Sequence, residues 1–261
     1  MLAAATYAYG CMKMQTSRAR EGLPSELRVG TAPNYPPLAF KENGQLRGVE
    51  LELAQRLAQE LNTKVSVIET RWEDLIPALE KGEIDVIMSG MSITEDRSQR
   101  VRFTVPYLNI GQMALIRKAD YERLRERSAM DQPTSRIGFV AGTTGEGFAR
   151  EQLQRATLVP LLSTDDGIAA LRSNRIDFFI QDAPAIWRIT GNLQAQYPDL
   201  MGRYRLLTAE YLAWAVRKND DALLEKLNAV LLRWEQNGKL DTTLDHWIPV
   251  RKIAIDIEPA P

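Results

Sequence analysis

Glu73-Asp74-Leu75-Ile76-Pro77-Ala78-Leu79-Glu80-Lys81-Gly82-Glu83-Ile84-Asp85-Val86-Ile87-Met88 returns in the second half of the chain, without a gap, as Asp165-Asp166-Gly167-Ile168-Ala169-Ala170-Leu171-Arg172-Ser173-Asn174-Arg175-Ile176-Asp177-Phe178-Phe179-Ile180. Asp74, Ile76, Ala78, Leu79, Ile84 and Asp85 meet the same residue in the second copy. Each copy reads as a capped amphipathic helix, a turn at Gly82 or Asn174, and a buried strand, because helical spacing gives way to a short continuous apolar run. The strands upstream also match, Arg28-Val29-Gly30 against Arg136-Ile137-Gly138.

Working outward, Leu27 to Thr31 reads as a strand that enters the turn-rich Pro33-Asn34-Tyr35-Pro36-Pro37. Val49 to Leu61 carries Leu53, Leu57, Ala58 and Leu61 at helical spacing, and Val65 to Ile68 reads as a further strand. Strand–helix alternation predicts α/β lobes built on parallel sheets. One plan used twice predicts two such lobes, since two copies are too few for a stacked repeat array. In open α/β sheets the ligand lies beyond the carboxyl ends of the strands. The repeat puts Ser89-Gly90 and Gln181-Asp182 at equivalent ends, so facing lobes would turn both into one cleft.

Composition narrows the function classes. The chain has 261 residues, 44% hydrophobic and 26% charged, which fits one large domain or two lobes of an ordinary globular protein. With 33 basic against 34 acidic residues there is no basic field for nucleic acid. No apolar run reaches the roughly 18 residues of a membrane span. Cys11 is the only cysteine and His246 the only histidine. That argues against a disulfide, a His/Cys zinc site and, unless His246 serves it, a Ser-His-Asp triad. Neither metal nor cofactor is expected. Met88, Met91 and Met113 read as packing, and the charge run from Asp120 to Asp131 as a solvated face.

Residues 1–26 differ from the rest. Met1 to Gly10 is small and apolar, and polar residues follow Cys11. This resembles the end of a lipoprotein signal peptide with Cys11 as the lipidated residue, followed by a tether. A disordered tail with an idle cysteine is the alternative. No Lys or Arg precedes Cys11, and Ala8-Tyr9-Gly10 is a poor lipobox.

Three features point to an anionic and a cationic group held side by side. Thr94 reads as an N-cap with Glu95 and Asp96 in the first turn, so Arg97 falls at the third helical position, near the positive end of the dipole. A cation is disfavoured there unless an anion lies between the guanidinium and the free N–H groups. A surface Arg pairing with Glu95 or Asp96 is the alternative. In the second half, Gly142-Thr143-Thr144-Gly145-Glu146 makes a glycine turn into a helix with Thr143 and Glu146 at capping-box spacing, a modest oxyanion site or a plain helix cap. Asp182 ends the apolar strand Phe178-Phe179-Ile180 before Ala183-Pro184 opens a helix; it either meets a ligand ammonium or caps its own helix. Together a guanidinium, a serine hydroxyl, two helix N-termini and a carboxylate describe a site for the main-chain end of an α-amino acid. Tyr35 and Trp72 would wall its side chain, or pack into the lobe core.

By these residues the chain resembles the periplasmic solute-binding proteins of polar amino acid ABC transporters. The likeness runs from about Leu27 to Pro249. It passes through Tyr35-Pro36-Pro37, Gly48-Val49-Glu50-Leu51-Glu52-Leu53-Ala54, Gly90 to Arg97, Phe103-Thr104-Val105-Pro106-Tyr107, Gly142-Thr143-Thr144, Asp182, Arg217-Lys218, Asn237-Gly238 and His246-Trp247. The resemblance implies a type II two-lobed clamp with crossovers near Leu108 to Gly111 and Glu210 to Ala213. Lobe 1 would comprise residues 27–109 and 212–250, lobe 2 residues 110–211, with 251–261 a tail. It implies a ligand carboxylate on Arg97, Gly90, Ser92, Gly142, Thr143 and Thr144, and an ammonium on Asp182 and Ser89. The side-chain pocket would be formed by Trp72, Tyr35 and Ala32. Members that bind cationic amino acids often carry an acid where Ala32 stands, which leans the expectation to a neutral or acidic amino acid. The partner implied is a membrane permease; the location, extracytoplasmic. A dehydratase of cyclohexadienyl or arogenate type on the same scaffold is the rival, with Glu146 or Asp182 asked to act as general acid but no second carboxylate in view. A sensory domain acting through a partner receptor is the third reading.

Overall fold

The computed structural model describes residues 25–203 and 206–249. Residues 1–24, with Cys11, and 250–261 lie outside the described residues, so the tether, lipidation and tail are not addressed. Among the described residues no helix is long and apolar enough to cross a membrane.

Two five-stranded sheets organise the chain. The first has the order Lys64–Glu69, Glu26–Thr31, Val86–Ile87, Ala215–Arg217, Val101–Phe103; the second, Thr157–Leu161, Arg136–Val140, Phe178–Asp182, Gln112–Arg117, Leu200–Arg203. Three adjacent strands of each sheet pair in parallel, as the strand–helix alternation requires. The parallel reading does not extend to the fourth strand: Ala215–Arg217 in one sheet and Gln112–Arg117 in the other are antiparallel to both neighbours. Each of these strands enters its sheet directly from a crossover, so it arrives from the opposite end. The crossovers themselves, Leu108–Ile110 and Glu210–Leu212, pair antiparallel with each other.

Alternation along the strands builds a core on both faces of each sheet. Val86 packs with Leu53, Leu57, Trp214 and Trp234, whereas Ile87 packs with Leu75 and Leu79. In the second lobe Phe179 packs with Met113 and Ile168, and Phe178 and Ile180 pack with Phe139 and Phe148. Met88, Met91 and Met113 are all buried in these clusters.

The repeat survives in three dimensions at its polar residues. Asp85 accepts from the Arg28 backbone N–H at 3.0 Å, and Asp177 accepts from that of Arg136 at the same distance. Each also pairs with the side chain of the same arginine. Gly82 and Asn174 both take left-handed conformations at φ 72° and 57°. The copies differ at the helix start. Ser163 caps Thr164–Arg172 by accepting from Asp166 N–H, but Leu75–Glu80 has no side-chain cap and is entered through the 3₁₀ turn Trp72–Asp74. That turn carries Trp72 to the strand end.

Candidate functional site

Where the two sheets' strand ends meet, the lobes enclose a cavity of about 100 Å³ lined by, among others, Tyr35, Trp72, Gly90, Ser92, Arg97, Thr143, Thr144, Gln181 and Asp182. Arg97 sits on helix Glu95–Arg100, whose N-cap Thr94 accepts from the Arg97 N–H at 3.3 Å. Its guanidinium does not turn back to the acids of its own first turn. It donates to Ser92 carbonyl at 2.9 Å and, across the cleft, to Gly142 carbonyl at 3.3 Å, and lies 5.2 Å over the Trp72 ring. Burial lowers its pKa, against the pull of Asp182 and Glu210.

Gly90 has φ 65°, and a Cβ there would stand 2.6 Å from Leu38 and 2.7 Å from Tyr35, so the close approach of this turn requires glycine. Its N–H, expected for the ligand carboxylate, is taken by Glu50 at 2.6 Å. Ser92 lines the cavity, but its hydroxyl donates to Glu210 at 2.8 Å. Ser89 is displaced from the expected role: it is 1% exposed and accepts from the Ala32 N–H at 2.9 Å. Ala32 is in the lobe core and borders an outer groove, not the enclosed cavity.

Gly142 is a second correction. Its N–H donates to Glu146 at 2.8 Å, which lowers the Glu146 pKa, while its carbonyl faces Trp72 and Arg97. The capping box is therefore shifted by one residue, and the Thr143 hydroxyl donates to Val140 carbonyl instead of capping the helix Thr144–Gln152. Thr143 and Thr144, at the N-terminus of this helix and so at its partly positive end, line the same cavity as Arg97.

Asp182, 8% exposed, does not cap the helix Ala183–Trp187. Its carboxylate accepts from Tyr35 hydroxyl across the cleft and from Gln112 Nε2. Burial, reinforced by the nearby Glu210, pushes its pKa up to about 7. Burial likewise raises Tyr35 well above its ordinary value.

Sequence reasoning missed three participants. Gln112, fully buried, donates to Thr144 Oγ1 at 3.1 Å and Glu210 Oε1 at 3.0 Å as well as to Asp182, while its own Oε1 has no partner. Glu210, on the second crossover, is a second carboxylate near Asp182, held by Gln112. Neither carried a periodic signal. Glu50 did: it shares the apolar stripe with Leu53, Leu57 and Leu61, where a carboxylate is out of place. His246 is exposed and packs edge-on to Trp247, and no cluster of three metal-ligating residues occurs among the described residues.

Residues 27–250 match the family model for bacterial extracellular solute-binding proteins, family 3. The chain belongs to that family. Its relatives include a probable histidine-binding protein of Campylobacter jejuni, 30% identical over 220 residues covering 84% of this chain and 83% of the relative. Cyclohexadienyl dehydratase of Pseudomonas aeruginosa is 28% identical over 251 residues, covering 95% and 92%. A binding component of an ABC transporter from Wolinella succinogenes, solved with lysine, superposes with a TM-score of 0.82 at 30% identity, covering 87% and 97%. The family is extracytoplasmic. Identity alone does not separate binding from catalysis here. The expectation of a neutral or acidic ligand finds no support in these relatives, one of which is named as histidine-binding and another solved with lysine.

Proposed function

We propose that this family member is the binding component of an amino acid ABC transporter, closing its lobes over one α-amino acid and presenting it to a membrane permease. The observation that carries the reading is the pairing across one cavity of Arg97 and a helix N-terminus with Asp182. The first two suit a carboxylate and the third an ammonium, the two charges of a zwitterion. Thr144, Ser92 and Tyr35 complete the main-chain end, and Trp72 covers the side chain. Micromolar affinity needs roughly −8 kcal/mol, which charge-assisted contacts at both ends help to supply.

The cavity also bears on ligand class. Arg97 is the basic residue of its lining, against Asp182 and Glu73, with Asn34, Thr164 and Gln181 as neutral polar groups. With Arg97 and Asp182 engaged by the main-chain end, Glu73 is the charged group left for the side chain, which favours a cationic ligand.

Thermal shift across the twenty amino acids tests this. A ligand at 100 Kd adds about 2.7 kcal/mol, a rise in Tm of roughly 5–10 °C for a chain of this size. No shift with any of them would overturn the reading. One observation favours a second reading, a dehydratase: Asp182, with its pKa near 7, is a proton donor beside an anion site and a second carboxylate, Glu210. Loss of prephenate absorbance on incubation would establish it; stable absorbance removes it.

A further inference from the structure

The carboxylate of Glu50 is 1% exposed and makes three hydrogen bonds, each to a different part of the binding machinery. Oε1 accepts from the Gly90 N–H and from the Tyr107 hydroxyl, both at 2.6 Å; Oε2 accepts from the Trp214 indole N–H at 3.0 Å. Gly90 belongs to the turn that lines the ligand cavity. Tyr107 immediately precedes the first crossover, Leu108–Ile110, and Trp214 stands just beyond the second, Glu210–Leu212. Burial pushes the Glu50 pKa up to about 6, and the three donors hold it down from going further. A buried carboxylate is costly, so its three donors are a matched set.

The turn it holds leads straight to the anion-binding group. Two residues beyond Gly90, the Ser92 carbonyl accepts from Arg97. Between them Met91 carbonyl accepts from Ala213 N–H at 3.0 Å, and Ile93 N–H donates to Tyr211 carbonyl at 2.9 Å, so the same turn is woven into the second crossover. Tyr35 and Leu38 press on Gly90 from the other side.

We propose that Glu50 is a positioning residue that ties the ligand-carboxylate turn to both crossovers, so that one buried group sets the aim of Arg97 and the seat of the hinge. This rests on the amino acid reading above and deepens it. The geometry makes a specific demand of the side chain. A glutamine at this position keeps one acceptor for Gly90 and Tyr107 but turns an NH₂ toward the Trp214 N–H, donor against donor.

The test is calorimetry with the amino acid among the twenty that binds the wild type most tightly, and with its C-terminal amide, which lacks the carboxylate. Glu50→Gln is expected to weaken the acid roughly tenfold or more, the effect of a buried donor left unsatisfied, and the amide clearly less, because both ligands depend on the hinge but only the acid depends on the aim of Arg97. Trp214→Phe added to Glu50→Gln removes the clashing donor and is expected to recover part of the loss. Acid and amide weakened equally, or neither weakened, overturns the proposal. Should Glu50→Gln fail to fold, Tyr107→Phe removes one donor and is expected to show a smaller loss with the same selectivity for the acid; an equal loss for both ligands overturns it. Should no amino acid bind the wild type, the functional reading fails, and amide-proton NMR of the ligand-free protein decides on Glu50 alone. Glu50→Gln is then expected to move the Gly90 amide, the Trp214 indole and the amides of both crossovers together; crossover resonances that stay in place overturn it.

Discussion

A guanidinium at the third position of a helix opposes the helix dipole, and the direction it takes explains its place. Arg97 leaves its own acids and reaches Ser92 and Gly142 carbonyls, which hold it over the cavity without neutralising it. Its charge is left for a ligand. Arg97→Ala is expected to lower amino acid affinity by roughly 30- to 1000-fold, the worth of about 2–4 kcal/mol of charge-assisted hydrogen bonding, with the circular dichroism spectrum unchanged. Affinity within threefold of wild type by calorimetry would remove the role. Asp182 gives a second prediction. Its pKa near 7 in the free protein, caused by burial and by Glu210, falls when an ammonium arrives beside it. Binding at pH 7 is therefore expected to release about half a proton, and affinity to fall toward tenfold per unit as pH drops below 7. Calorimetry in two buffers of different ionisation enthalpy reads the proton directly. The same group acts on stability with the opposite sense. Since the folded pKa is raised, the free protein binds the proton before the unfolded chain does, and this group's contribution declines as pH rises between about 4 and 7. Ligand affinity rising with pH while this contribution to apo stability falls is the signature to look for.

At the scale of the element, the repeat identified two helices, their turns and their strands because its pattern is local: spacing of apolar residues, a left-handed turn residue and an aspartate after isoleucine. That aspartate proves to be a buried tie to the preceding strand in each lobe, through Arg28 or Arg136. Asp177 is the more heavily engaged, with Arg117 and Arg123 beside Arg136, and it links the charge run at Asp120 to the second sheet. The arginines hold both aspartates below the usual carboxylate range against the cost of burial. Asp177→Ala is expected to cost about 2–4 kcal/mol, the buried-pair figure discounted for half-exposed partners, and Asp85→Ala somewhat less. Urea unfolding measures both, and the depressed pKa values require that the wild-type advantage be present above pH 4 and lost as pH falls through the folded values. Equal stability of Asp177→Ala and wild type would refute the tie. What the local pattern left out was everything that depends on the crossovers. The antiparallel strands Gln112–Arg117 and Ala215–Arg217 have ordinary strand composition, and their direction follows only from where the chain comes back. For the same reason Gln112 and Glu210, joined in space, gave no sign in sequence. Ser89 and Gly142 lie on turns whose neighbours line the cavity, but the turns' own hydroxyl and N–H groups are spent on Ala32 and Glu146, which spacing does not reveal.

At the scale of the whole molecule, the lobes are joined by contacts that need no ligand. The Trp72 indole N–H donates to Gly142 carbonyl at 3.0 Å, Tyr35 reaches Asp182, and on another part of the interface Arg188 lies 5.0 Å over the Phe40 ring while Trp187 packs against the cores of both lobes. Such contacts favour the closed form in the free protein, and a ligand that bridges the lobes adds to them. The Trp72–Gly142 bond isolates this contribution. Trp72→Phe keeps a ring for the ligand side chain and removes the cross-lobe donor, so the free protein is expected to shift toward the open form. A loss of about 1 kcal/mol in closure corresponds to an apparent affinity weaker by up to about fivefold, because affinity scales with the population of the competent form. Two measurements must agree: fluorescence energy transfer between dyes on the two lobes should show a larger open fraction without ligand, and at saturating ligand the transfer should return to the wild-type value. A variant whose affinity falls with no change in the ligand-free open fraction would mean that Trp72 acts through direct contact with the ligand and not through closure.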